Sequence, residues 1–146
     1  MPAGPSELGF VYFVTAKFAG YTAYCHWAVT PQLKKQNTEV RIPAAWKAGA
    51  VRTIMGAIIG AIVGIGFWKL PMFSQRDFFA TPAFYILLLP VRIGEWALLL
   101  ATVYRRFTFS SNQRTALLSG GIVTSFALDF LGIVAAFVTP GGMWVC

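Results

Sequence analysis

Charge is scarce in this chain, and acidic charge most of all. Of 146 residues, 12% are charged, with five Asp and Glu against twelve Lys and Arg. A water-soluble domain carries about 25% charged residues, so too little charge is present to coat a globule. Histidine occurs once, at His26, and cysteine twice, at Cys25 and Cys146. A haem held by two histidines is excluded within one chain, and one Cys-His pair does not make a zinc site. No nucleophile and base stand in a defensible pair. No catalytic residue, metal site or cofactor is therefore expected, and His26 reads as an interfacial side chain. The opening stretch MPAGPSELGF has no basic segment. The apolar block behind it is too long for a signal-peptide core, so it reads as a permanent helix.

What is present is apolar sequence in long blocks. Hydrophobic residues make up 57% of the chain, and its mean hydropathy is +0.64. A spanning helix needs about 20 mostly apolar residues, and four blocks qualify: 9–29, 49–68, 82–104 and 115–138. The first ends at Thr30-Pro31 and the second before Leu70-Pro71. The third opens with Pro82, which suits a first helical turn. The fourth ends at Pro140-Gly141-Gly142. The expected fold is all-α, a four-helix transmembrane bundle forming a single domain over 1–146.

The connections set its orientation. The first connection holds Lys34, Lys35, Arg41 and Lys47 against Glu39, and the third holds Arg105, Arg106 and Arg114 with no acid. The second holds Lys69 and Arg76 against Asp77, and the tails carry only Glu7. Basic connections stay on the cytoplasmic side. Loops 30–48 and 105–114 are thus expected in the cytoplasm, with both termini on the outer face of what reads as a bacterial cytoplasmic membrane. The net charge of +7 and pI near 9.9 come from these loops, so nucleic acid is not an expected partner. The cysteines fall near opposite faces, which excludes an intrachain disulfide. Trp27, Trp46, Trp68, Tyr104 and Trp144 fall near helix ends, where interfacial anchors sit.

Against that apolar background stand Lys17 in the first helix, Arg92 and Glu95 in the third, and Asp129 in the fourth. Each charge at a bilayer centre costs roughly 2.5–3.5 kcal/mol, so these must turn inward and pair. At 1.5 Å per residue, Lys17, Arg92 and Asp129 each lie about 12–15 Å below the outer end of their helices, and Glu95 about one turn deeper. Two cations and two anions are expected in one layer, summing to zero. On that count, removing Arg92 should strand an acid and lower folded yield.

Tyr21 and Ser125 share faces with Lys17 and Asp129. Pro90 should kink the third helix and free the Ile86 carbonyl. Gly56, Gly60 and Gly64 make a small-residue strip for close packing, within the bundle or between copies. Arg52, one turn from the expected inner boundary, is expected to extend to the headgroups. Tyr12, Tyr21 and Tyr24 read as packing residues of an amphipathic face.

No characterised family is recognisable in the residue pattern. The reading favoured is a non-enzymatic accessory or structural subunit, in the bilayer and associated with copies of itself or a larger complex. The alternatives are a small transporter or channel using the charged cluster, and a membrane-embedded enzyme acting on a lipid or amphipathic substrate.

Overall fold

From Glu7 the chain meets no proline until Pro31, and it is helical up to and beyond that point. In the computed structural model the backbone is described for residues 7–36, 41–68 and 82–138, and side-chain environments for 9–36, 41–62, 86 and 88–131. Helix α1 (Glu7–Tyr24) passes through one π turn (Cys25–Val29) into the short α2 (Thr30–Lys34). The helix therefore does not stop at Thr30-Pro31 as expected. Pro31 has no N–H to donate backward, and the π turn absorbs the mismatch. The Thr30 N–H reaches back to the Cys25 carbonyl, and the Thr30 hydroxyl donates to the same oxygen at 2.9 Å. A single π turn is the usual way to insert such an offset without ending a helix.

Helix α3 (Ala45–Trp68), α4 (Pro82–Thr102) and α5 (Ser111–Val138) complete the chain. Helix α3 begins four residues before the expected Gly49, directly after Pro43 and Ala44. Helix α5 also begins four residues early, and its cap explains why. The Gln113 N–H donates to Ser110 Oγ at 3.3 Å, while the Ser110 N–H donates to Gln113 Oε1 at 3.0 Å. This is a reciprocal capping box, S-x-x-Q, which sets the helix start regardless of the hydrophobic block behind it. Helix α4 runs on through Pro90. Among the described residues there is no strand, and one helix, α3 over Ala45–Ile62, has both the length and the apolarity to cross a membrane.

Helix α1 packs on α3 and α5, and α4 packs on α5 and α3, closing a four-membered ring. Small residues permit the close approaches. A Cβ on Gly49 would lie 2.9 Å from the Thr22 backbone nitrogen, one on Gly20 2.5 Å from Leu128, and one on Gly121 2.5 Å from the Trp96 indole. Tyr24 of α1 donates to the Leu117 carbonyl of α5 at 2.8 Å, so α1 and α5 run antiparallel: Lys17 meets Asp129 while Tyr24 meets Leu117. Of the expected glycine strip, Gly56 lies beside Arg52 and Glu95, Gly60 is half-buried, and the surroundings of Gly64 lie outside the described side chains.

The interior is layered. Towards the end where α1 finishes and α5 starts, Cys25, Val29, Leu33, Ala48, Leu100, Tyr104, Phe107 and Leu117 form an apolar plug. Tyr104 belongs to this plug at 1% exposure and is not the interfacial anchor expected of it, because the chain turns back over it and buries Phe107 as well. Trp27 and Trp46 do face outward. Beside the plug, Tyr21, Trp96, Leu99 and Leu128 make a second cluster. Gln36 Nε2 donates to the Thr108 carbonyl at 2.9 Å, which brings the first and third connections to the same end of the bundle. Lys34, Lys35, Arg41, Lys47, Arg105, Arg106 and Arg114 are all exposed there. Residues 69–81, with Lys69, Arg76 and Asp77, and the tail with Trp144 and Cys146 lie outside the described residues, as do the surroundings of Trp68.

Candidate functional site: a charged layer across four helices

The side chains with least reason to be buried are buried together. Lys17, Arg52, Arg92, Glu95, Ser125 and Asp129 are all within the interior, and their helices bring them into one connected chain. Lys17 Nζ of α1 lies 2.7 Å from Asp129 Oδ1 of α5. Arg92 Nη2 of α4 donates to the other oxygen of the same carboxylate, Oδ2, at 2.7 Å. Arg92 Nη1 also donates to Glu95 Oε2, one turn along α4, at 3.1 Å. Arg52 of α3 donates from Nη2 to that same Oε2 at 2.6 Å. All four long helical segments contribute, so each ion pair but Arg92–Glu95 is also a tie between helices.

The layer continues into neutral groups. Arg52 Nη2 lies 3.3 Å from Ser125 Oγ. That oxygen accepts from Trp96 Nε1 at 3.0 Å and donates to the Gly121 carbonyl at 3.0 Å. The donor and both acceptor positions of the hydroxyl are thus occupied. Aromatic rings cover the cations. The Arg52 guanidinium carbon lies 4.7 Å from the Tyr21 ring centre and 5.2 Å from that of Trp96, and Lys17 Nζ lies 4.2 Å from that of Phe13. Such contacts are strongest where water is excluded.

Lys17, Arg92, Glu95 and Asp129 are therefore brought together, with Tyr21 and Ser125 beside them. Pro90 is not part of the site: it is exposed on α4, on the helix side away from Arg92. Arg52 departs furthest from expectation. It does not reach for headgroups; it is 0% exposed and is bound to Glu95. The reason is the early start of α3 at Ala45, which places Arg52 about 10 Å into the helix, two turns rather than one. The sequence did carry a signal for this in Gly56, one turn onward, whose missing side chain leaves room for a guanidinium. Trp96, next to Glu95, is a further member of the site that the residue pattern does not single out. It is 1% exposed and stacks edge-on with Tyr21 and Tyr24, with ring centres 5.8 and 5.2 Å away.

With Arg52 inside, the described layer holds three cations and two carboxylates. The zero sum expected from the sequence becomes an excess of one positive charge. Both carboxylates are committed to cation donors, and no hydroxyl or thiol nucleophile faces either as a partner among the described contacts. The arrangement ties α1, α3, α4 and α5 together.

No family model, curated protein or solved structure matches the chain.

Proposed function

We propose that the chain is a small multi-pass membrane protein whose charged layer locks four transmembrane helices in register, acting as a non-enzymatic structural or accessory subunit. One observation carries the reading: among the described residues, the flanks of the helices are apolar outside and charged inside. Ile54, Ile58 and Ile62 form an exposed ridge along α3, and Val11, Leu98, Val123 and Phe130 face outward on the other helices. In water, leaving that surface wet while burying five charges would be unfavourable twice over. In a bilayer both terms reverse, because lipid takes the apolar face and the charges have only one another. The exposed basic residues gathered at one end support cytoplasmic placement of connections 30–48 and 105–114. The lipid bilayer is then the first partner, with further copies of the chain or a larger membrane complex covering part of the outer face.

Single-cysteine labelling with a membrane-impermeant maleimide tests the topology, with Cys25 and Cys146 replaced. Probes at Gln36 and Asn112 should react only when the cytoplasmic side is opened, and probes at Ser74 and Gly4 from the outside. Labelling of Asn112 and Ser74 from the same side sinks the four-span reading.

The surplus cation favours a second reading, a small transporter or channel that uses the same residues. The two readings separate on Glu95→Gln. As a lock, the wild-type protein in proteoliposomes conducts no more than protein-free vesicles, and Glu95→Gln melts several degrees lower because Arg52 loses its carboxylate. Wild-type flux that Glu95→Gln abolishes without lowering the melt would establish transport instead.

A further inference from the structure

We propose that the basic end of the bundle is a binding surface for anionic phospholipid headgroups, which supply the negative charge that this end lacks. The inference rests on the four-span reading above and names the lipid class that its cytoplasmic end selects. The first ground is charge. The seven exposed cations of the first and third connections are held on one surface by the bond from Gln36 to the Thr108 carbonyl. No ion pair between described residues involves them. Of the chain's five acids, Glu95 and Asp129 are committed to the charged layer. Glu7 opens α1 at the far end, and Asp77 belongs to the second connection. Glu39 alone shares a connection with these cations, so seven against one leave six positive charges unmatched.

Two of the cations stand where the fold itself opposes them. Lys47 is in the first turn of α3 and Arg114 in the first turn of α5, and neither turn holds an acid. A helix start carries about half a positive charge, so the backbone beside each cation repels it. Neither helps to hold its helix, and the attraction that offsets this comes from outside the chain. The aromatic residues set the depth of that partner. Trp27 and Trp46 project outward at the same end, and Lys47 Nζ lies 5.6 Å from the Trp46 ring centre. Tryptophan in such a position sits at the headgroup level. Lys34 and Lys35 follow Trp27 by about two turns, ~10 Å, and the headgroup region is about 5–8 Å deep on each face. The cations thus border the layer in which lipid phosphates lie, and a surface of this kind needs no cavity. A zwitterionic lipid brings its own cation with the phosphate and leaves the six charges unmatched. Phosphatidylglycerol, phosphatidylserine and cardiolipin bring net negative charge.

Spin-labelled lipids in phosphatidylcholine bilayer discs holding the full chain test the preference, because electron spin resonance separates lipid held against protein from free lipid. Labelled phosphatidylglycerol is compared with labelled phosphatidylcholine of the same acyl chains. At low salt the wild type should hold phosphatidylglycerol about fivefold more strongly, the factor expected of one Lys or Arg at an anionic surface. Lys34→Gln/Lys35→Gln/Arg105→Gln/Arg106→Gln changes only exposed side chains and should bring the ratio close to one. Lys34→Arg/Lys35→Arg should keep it. If the fourfold variant fails to fold, salt decides with the wild type: a preference unchanged in about 1 M salt, where charges are screened within about 3 Å, overturns the proposal. So does a wild-type ratio near one at low salt, or a preference that the folded fourfold variant retains. Loss of the preference on adding an oligonucleotide at equal phosphate concentration overturns it as well, and assigns the surface to a soluble polyanion. Any of these results with the maleimide labelling pattern intact removes the lipid preference and leaves the membrane topology standing.

Discussion

Asp129→Asn is expected to remove most of the folded, monodisperse protein, the largest loss from any single atom exchange in the layer. Each oxygen of Asp129 serves a different cation, Oδ1 facing Lys17 and Oδ2 facing Arg92, both at 2.7 Å. An asparagine has one acceptor and one donor end, so either rotamer sets an N–H against an ammonium or a guanidinium. The net charge of the described layer rises at the same time from one to two. Breaking a buried pair from one side costs about 3–5 kcal/mol, and here Lys17 loses its carboxylate while Arg92 loses one of two, keeping Glu95. A typical domain has only about 5–15 kcal/mol in total. The measurement is size-exclusion profile and thermal melt at matched expression.

The same geometry makes the cations more dispensable than the acids. Without Arg92, Lys17 still holds Asp129 and Arg52 still holds Glu95, so the earlier expectation that losing Arg92 strands an acid does not survive the inclusion of Arg52. Lys17→Met, Arg52→Gln and Arg92→Gln each bring the layer to neutrality and should each fold better than Asp129→Asn. The double variant Lys17→Leu/Asp129→Leu, which restores the wild-type excess of one, should recover part of the yield that Asp129→Asn loses. If Asp129→Asn matches wild type while Arg92→Gln does not, the layer is not organised by charge as described.

How much of this could be read beforehand follows the physics of each signal. Long apolar blocks separated by prolines and basic residues mark out the four helical segments, because length and apolarity are summed over some twenty positions. Ends are local, and hydropathy does not fix them. The π turn at Cys25–Val29 has no hydropathy signature, so Pro31 looked like a stop. The Ser110 capping box precedes its apolar block, so α5 looked shorter than it is. Those end errors propagate into the site. Counting depth inward from Gly49 instead of Ala45 moved Arg52 a full turn towards the surface and made it look like a headgroup contact. Lys17, Arg92, Glu95 and Asp129 tolerated the same errors because they lie mid-helix, where a shift of one turn leaves a residue still deep. Tyr104 illustrates the opposite case: near an end, a residue is an anchor or a core member depending on whether the next few residues turn outward or fold back.

Trp96→Ala is the second large loss expected, and it isolates packing from charge. The indole is 1% exposed, donates to Ser125 at 3.0 Å, lies over Arg52, and meets the rings of Tyr21 and Tyr24 edge-on. It also fills the notch at Gly121, where an added Cβ would come within 2.5 Å of it. Truncating a buried Trp to Ala costs about 3–5 kcal/mol. In a bilayer that cost falls on van der Waals contact between helices, since lipid offers an apolar side chain no reason to leave it. Trp96→Phe keeps much of the contact and loses the hydrogen bond, so it should recover well over half of the folded yield. Trp27→Ala and Trp46→Ala remove side chains of the same size that are 75% and 56% exposed. They should leave the melting temperature within a degree or two of wild type, consistent with surface changes worth less than about 0.5 kcal/mol. Equal losses from Trp27→Ala and Trp96→Ala would mean that α1, α4 and α5 do not converge on the indole, and the aromatic cover over Arg52 would go with that contact.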